Sequence, residues 1–221
     1  MFGAPAIMSA LDNNFSSLDP SVRLNAALFA GLNPSPSDLN TLIERCAVEP
    51  DFQVREMLTW ALIRLPTEIV VPRLLAELAR DNPQARSQAL HTLSKIREAS
   101  AWPAVAARLD DDDQDVVRTA WYTAVALVPE DKRNWLARRL AERFGKGGRE
   151  TQLSLSRALV ALGEATIAPI LKAASKEGNE SIRQHATATQ RLLDDPASGF
   201  AGSIDRARRE VALGRTKSTK G

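Results

Sequence analysis

The 221-residue sequence predicts an all-α fold in which about six pairs of helices stack on one another. An aliphatic residue followed by arginine recurs at a nearly constant interval along the chain. Aliphatic residues follow each of these arginines at helical spacing. A second helical segment comes next, and it recurs along the chain at the same interval as the arginines. A period of a few tens of residues is typical of stacked repeats, and no segment shows the convincing two-residue alternation of a strand.

The first helix of each repeat, helix A, is predicted from the recurring arginine. The first four arginines lie at intervals of 32, 31 and 32 residues, and the fifth lies about two periods further on. After the second arginine, Leu58, Leu62 and Leu65 fall on one apolar helical face. The same offsets recur in the other repeats. The five arginines are Arg23, Arg55, Arg86, Arg118 and Arg183.

An Asp or Asn upstream of the arginine is interpreted as the N-cap of helix A, since its side-chain oxygen can accept from free backbone N–H groups. We expect the arginine to bind carbonyl groups of a neighbouring cap or loop, because it is locked to the period that stacking requires. This structural role is favoured over a phosphate-binding row of arginines. The predicted caps are Asp19, Asp51, Asn82 and Asn179.

The second helix of each repeat, helix B, is predicted from a related signature. Three of these segments contain a proline, Pro72, Pro103 and Pro169, which we place in the first helical turn. The segment around Trp135 fills the intermediate repeat without a proline.

The predicted domain organisation is a single domain over residues 1–213. It begins with a half-repeat at 1–17 and ends with a closing helix near 200–213, and a polar, basic tail follows at 214–221. A secretory signal and an apolar run of membrane-spanning length are both missing from the sequence, which favours a cytoplasmic location. The lone Cys46 excludes an internal disulfide and is expected in the core.

This signature resembles that of HEAT repeats, in the short-period bacterial variety also found in phycobilin lyases. The resemblance extends from Leu18 to Leu213 and implies a right-handed α-α superhelix of about six helical pairs. HEAT-like stacks usually place helix B on the concave face, and long curved surfaces of this kind are suited to binding other proteins.

Catalytic motifs are not recognisable in the sequence. The acidic run Asp110–Asp113 fails the EF-hand pattern and is interpreted as a helix start, while Gly145–Gly148 is interpreted as a turn. His91 and His185 are expected at the surface or loosely packed. We therefore predict a non-enzymatic protein that uses neither a cofactor nor a metal site.

A partner-binding surface is predicted on the helix-B face, where an indole and several guanidinium groups fall among small alanines. Aromatic and arginine side chains are the residues that anchor protein interfaces, and such a surface could admit a helix or peptide of another protein. The candidate partner-binding residues are Trp135, Arg138, Arg139, Arg143, Arg108 and Arg73.

Two alternatives remain open at this point. One is a nucleic-acid-binding protein that resembles in architecture the alkylpurine DNA glycosylases built from HEAT-like repeats, although the net charge of only +2 supports it weakly. The other is a tetrapyrrole-lyase-like enzyme or chaperone, suggested by the short-repeat resemblance alone. A membrane partner is not expected.

Overall fold

The repeated signature folds as a series of helical pairs in the computed structural model, which describes residues 10–196. No strand occurs within that range, so the predicted all-α class is confirmed. None of the helices described there is both long and apolar enough to cross a membrane. The helices are α1 (Ala10–Phe15), α2 (Pro20–Leu32), α3 (Leu39–Val48), α4 (Phe52–Ile63), α5 (Thr67–Glu77), α6 (Pro83–Ile96), α7 (Trp102–Ala106), α8 (Gln114–Leu127), α9 (Arg133–Ala141), α10 (Arg149–Ala161), α11 (Glu164–Glu177) and α12 (Glu180–Asp194).

The chain separates into two compact units, Met1–Pro129 and Glu130–Gly221. In the first unit the A helices are α2, α4, α6 and α8, each packed against the next, and the B helices are α3, α5 and α7. In the second unit the A helices α10 and α12 pack together, and the B helices are α9 and α11. Side-by-side packing of equivalent helices is the arrangement of an α-α repeat fold.

The predicted ends of the domain are described only in part. Helix α1 falls within the half-repeat expected at 1–17, and it packs against α2 and α3. The first nine residues, the closing helix expected near 200–213 and the tail at 214–221 lie outside the described residues. The single domain over 1–213 stays a prediction.

The four predicted N-caps are confirmed. Each accepts a hydrogen bond from a backbone N–H in the first turn of its helix, and these caps are Asp19, Asp51, Asn82 and Asn179. Asp113 caps α8 in the same way, accepting from the amides of Asp115 and Val116. Each cap satisfies donors that the first helical turn leaves without a partner.

The structural role predicted for the arginines is also confirmed for four of the five. In each of the four, Nη1 donates to main-chain carbonyl groups five or six residues upstream, at 2.7–3.0 Å. These four are Arg23, Arg55, Arg86 and Arg183. Arg118 differs, because it pairs with Asp115 one turn away on its own helix.

The core follows the predicted apolar positions. Leu58, Leu62 and Leu65 are all buried. Trp121 is buried as well, and its indole N–H donates to the Leu109 carbonyl at 3.2 Å. Cys46 lies in the core as expected, and burial raises the pKa of its thiol to about 12.

The predicted start of helix B is wrong in two repeats. Pro103 does lie in the first turn of α7, but Pro72 and Pro169 lie inside α5 and α11, in the sixth position of each helix. A proline there removes the N–H that would bind the carbonyl four residues earlier, Glu68 or Ala165. Both of those residues are exposed, so water can bind the carbonyl instead, and the helix begins five residues before the proline.

Candidate functional site

Helix α9 contains three of the six candidate residues, and a fourth lies two residues after its end. Its inner side, formed by Leu136, Ala137 and Leu140, is buried in the second unit. Trp135 is 45% exposed on the opposite side, and Arg138 follows it one turn later. Residues three or four positions apart share one helical face, so α9 brings the indole and the guanidinium of Arg138 together on the surface.

The arginines of α9 make local contacts. Arg138 donates from Nε to the Asn134 carbonyl at 3.2 Å, within the same helix. Arg139 pairs with Glu142. Arg143 follows the helix and is partly buried. Positive side chains in the last turn of a helix are favoured by its dipole, and the three arginines outnumber the one acidic side chain among them.

The other two candidates, Arg73 and Arg108, belong to the first unit, where each has a partner. Arg73 donates from Nε to Asn40 Oδ1 at 3.1 Å, which links α5 to α3. Arg108 lies 3.6 Å from a carboxylate oxygen of Asp111. The four residues in and after α9 thus belong to the second unit, and these two belong to the first.

Glu77 is buried, although the repeat period places it at the same position of helix B as the candidate residues Arg108 and Arg139. It is 4% exposed, and its carboxylate oxygens lie 2.9 Å from Arg80 and 3.8 Å from Arg73. Arg80 also binds Glu44 of α3. The positive charge of Arg80 is therefore shared between two carboxylates.

A surface residue of helix B that the sequence did not single out is Val48 of α3, which is 61% exposed. Asn40 and Glu44 precede it at intervals of four residues and are exposed on the same face of the helix.

The acidic run Asp110–Asp113 is used to hold the fold, as expected for a helix start. Asp111 and Asp112 each accept from Nη2 of Arg86, at 2.7 Å and 2.9 Å. Burial alone would raise the pKa of Asp111, but the hydrogen bonds from Arg86, from the Asp113 amide and with Asp112, together with the positive charge of Arg86, outweigh it and hold that pKa below its usual value. Across residues 10–196, no three His, Cys, Asp or Glu side chains converge in a way that could hold a metal ion.

Of the two histidines, His185 corrects the expectation of a surface position. It is 3% exposed in the second unit, with its ring 5.0 Å from that of Phe144 in an edge-on contact. The turn predicted at Gly145–Gly148 is confirmed, and the Gly145 N–H donates to Nδ1 of His185. His91 is partly exposed, as expected, and its Nε2 lies 3.0 Å from Glu56.

Comparison with known proteins places HEAT repeats in the first unit. The family model for HEAT repeats matches residues 39–126, which extend from α3 into α8. An engineered protein of known structure is 16% identical, with a TM-score of 0.45 and coverage of 85% of this chain and 98% of that chain. A designed armadillo repeat protein is 15% identical, with a TM-score of 0.42 and coverage of 83% and 98%. No curated protein matches the sequence.

The family match confirms the predicted HEAT repeats over this part of the chain. The resemblance to the phycobilin-lyase variety stays a prediction, since the matched family is that of HEAT repeats in general. In the second unit, B and A helices alternate as they do in the first unit. Asn179 caps α12 there in the way that Asn82 caps α6.

Proposed function

We propose that the protein is a non-enzymatic scaffold that binds another protein through the exposed side of its B helices, with α9 as the principal contact. HEAT repeats present long helical surfaces suited to such binding. A cytoplasmic location belongs to the same proposal.

The exposed indole of Trp135 is the observation that carries the proposal. Within the described residues of the second unit, no other large apolar side chain is as exposed as Trp135. Tryptophan and arginine are enriched among the residues that dominate binding energy. Trp135 and Arg138 lie one helical turn apart with Arg139 beside them, so one contact could bury the ring while the guanidinium groups bind carboxylates.

The partner that fits this surface is an acidic, amphipathic segment of another protein. Its apolar side chains would cover the indole, and its carboxylates would pair with Arg138. Glu142 already pairs with Arg139, so a partner carboxylate at Arg139 would have to displace it.

The proposal is tested by isolating the protein with its partners from cells that naturally express it, after crosslinking. The wild type is compared with Trp135→Ala and with the double variant Arg138→Glu/Arg139→Glu. We expect recovery of a specific protein to fall at least about tenfold in both variants, because each removes an interface anchor. The melting temperature should stay nearly unchanged, since these side chains are at least partly exposed.

A matched control reverses two charges of the same unit outside the patch, in Lys146→Glu/Arg191→Glu, where both side chains are exposed. This variant should retain the partner. Unchanged recovery with both patch variants would refute the proposed site. Loss of bound nucleic acid rather than protein would favour the nucleic-acid alternative.

A further inference from the structure

Ion pairs join successive repeats of the first unit through the residue two positions before a helix-A cap. In two repeats this residue is Glu49 or Asp111, and each accepts from the N–H of its cap, at 2.9 Å and 3.1 Å. Each also binds the arginine of the preceding A helix. Glu49 binds Arg23 at 2.8–2.9 Å, and Asp111 binds Arg86 at 2.7 Å. The place two residues before the cap is called the bridging position below.

The bridging position before α6 carries the opposite charge. It is occupied by Arg80, two residues before the cap Asn82, and Arg80 binds Glu44 and Glu77 at 3.0 Å and 2.9 Å. Arg55 of the preceding A helix therefore lacks the carboxylate that its equivalents have. Among the five repeat arginines, it alone forms no ion pair with the residues that the structure describes.

The guanidinium of Arg55 is nevertheless held as in the paired repeats. Nη1 donates to the carbonyls of Glu49 and Pro50, at 2.9 Å and 2.8 Å. The Glu49 carbonyl also accepts from Nε2 of Gln84 at 2.8 Å, so the guanidinium lies beside the start of α6. Nε and Nη2, the two donors that Arg23 uses to bind its carboxylate, make no hydrogen bond to the described residues. The partly exposed Arg55 thus offers a fixed pair of donors that fits a carboxylate.

Large apolar side chains lie around this arginine. Phe52 is 65% exposed, and the guanidinium carbon of Arg55 lies 5.9 Å from the centre of its ring. Pro50 is exposed beside it. Leu18, in the neighbouring turn, is 97% exposed, and its carbonyl binds Arg23. A cation stacked on an aromatic ring keeps its orientation and its charge at the surface. Arg55, Phe52, Pro50 and Leu18 are called the Arg55 surface below.

We propose that the Arg55 surface binds an acidic, apolar peptide segment of another protein. An Asp or Glu side chain of the segment takes the place of the missing bridging carboxylate on Nε and Nη2 of Arg55, and apolar side chains next to it cover Phe52 and Leu18. A phosphate group fits less well, because the surface has one arginine rather than a basic stripe and the exposed Asp81 lies in the adjoining turn. This site lies in the first unit and does not depend on the contact proposed for α9.

Selection of random peptides displayed on phage, with the wild-type chain as bait, tests the site without a known partner. The selected peptides are synthesised, and their affinities are measured by fluorescence anisotropy. We expect a group of peptides with Asp or Glu beside large apolar residues. Their affinity should fall at least about tenfold for Arg55→Gln and for Phe52→Ala, and also when the acid of the peptide is replaced by its amide.

Two matched controls should leave this affinity unchanged. Arg64→Gln removes another exposed arginine of the first unit whose guanidinium lies over an aromatic ring, 6.0 Å from the centre of Trp60. Trp135→Ala removes the anchor proposed on α9. Arg55→Lys should restore only part of the affinity lost in Arg55→Gln, because an ammonium group cannot form the paired hydrogen bonds of a guanidinium.

A variant that fills the site from within the chain gives a second measurement. Glu77→Arg/Arg80→Asp copies the next repeat, where Arg108 lies 3.6 Å from Asp111. The new carboxylate should bind Arg55 and so prevent the peptides from binding. Glu77→Arg/Arg80→Asn has the same shape without the negative charge and should still bind them. Circular dichroism checks that both variants are folded, and the comparison with Arg55→Gln decides if either is not.

Peptides that all keep their affinity for Arg55→Gln would overturn the proposal. If those peptides instead lose affinity for Trp135→Ala, the surface of α9 is the binding site and the proposed function stands without this second site. Equal losses for Arg55→Gln and Arg64→Gln would also overturn it, since they would reflect the net charge of the unit rather than a site at Arg55.

Discussion

The guanidinium of Arg23 and the carboxylate of Glu49 form a buried, two-pronged ion pair. Nε donates to Oε2 at 2.9 Å and Nη2 donates to Oε1 at 2.8 Å. Glu49 also accepts from Nε of Arg45 at 2.7 Å and from the Asp51 N–H at 2.9 Å. One fully buried carboxylate thus joins α2, α3 and the start of α4.

Removing the charge of Glu49 should destabilise the first unit strongly. In Glu49→Gln the buried Arg23 keeps its charge without a carboxylate, and breaking a buried pair in this way costs about 3–5 kcal/mol. The free energy of unfolding measured by urea titration, followed by circular dichroism, should fall by an amount in this range.

The exposed ion pair between Glu44 and Arg80 supplies the matched control. Glu44→Gln should cost less than about 1 kcal/mol, because exposed pairs contribute little. Replacing both partners of the buried pair, in Arg23→Met/Glu49→Leu, should cost less than Glu49→Gln, since neither charge is then left alone. Equal losses in Glu44→Gln and Glu49→Gln would contradict this account.

The same carboxylate should make the first unit sensitive to acid. Burial alone would raise the pKa of Glu49, but the hydrogen bonds from Arg23, the Asp51 amide and Arg45 outweigh it and lower that pKa from 4.5. A lowered pKa contributes stability above 4.5, and that stability is lost as the pH falls through the folded-state pKa. Thermal unfolding in acid should show a steeper loss for the wild type than for Glu49→Gln.

The periodic features of this fold could be read from the sequence because each depends on residues within one repeat. A cap such as Asp51 and an apolar face such as Leu58 and Leu62 need only helical spacing and the chemistry of a helix start. The positions that proved different depend on contacts between repeats. Glu77 is buried because it lies beside Cys46 of α3 and Ala85 of α6, in the two neighbouring repeats, and helical spacing does not reveal these neighbours.

The candidate site was predictable to a smaller extent. Helical spacing predicts that Trp135, Arg138 and Arg139 lie on one helix. All three lie on α9 in the structure. Arg73 is bound to Asn40, which lies 33 residues away in the sequence, so its hydrogen bonding depends on how α3 and α5 pack. The burial of His185 depends likewise on Gly145, which is 40 residues away.

Cys46 should be inert in the folded protein. Burial raises the pKa of its thiol to about 12, so almost no thiolate exists near neutral pH, and the thiolate is the reactive form. Iodoacetamide should label the denatured protein fully and the native protein hardly at all. Leu32→Cys supplies an exposed thiol for comparison, and equally fast labelling of Cys46 would contradict its burial.

Gly31 should not tolerate alanine, although alanine favours helices by about 1 kcal/mol. A Cβ on Gly31 would lie 2.0 Å from Cζ3 and 2.3 Å from Cε3 of Trp60, which is far inside van der Waals contact. We expect Gly31→Ala to lower the free energy of unfolding by about 1–3 kcal/mol, as overpacking does. The double variant Gly31→Ala/Trp60→Leu should recover part of the loss in urea titrations, and a stabilised Gly31→Ala would show that the ring moves away freely.

The second unit should lose stability on mild acidification through His185. The Gly145 N–H donates to Nδ1 at 3.1 Å, and Nε2 lies 3.0 Å from the Gln152 carbonyl, so the neutral ring with its proton on Nε2 satisfies both partners. Burial lowers the pKa of His185 from 6.5, against the opposing effect of the Gln152 carbonyl.

Because the folded-state pKa lies below the unfolded value, the unfolded chain takes up the proton first, and stability falls as the pH drops below about 6.5. Hydrogen exchange of the Gly145 amide, measured between about pH 8 and about pH 5 and corrected for the intrinsic rate, should show weakening protection. His185→Gln can accept from Gly145 but does not titrate, so its protection should stay level over this range. Parallel pH profiles for the wild type and His185→Gln would show that another group is responsible.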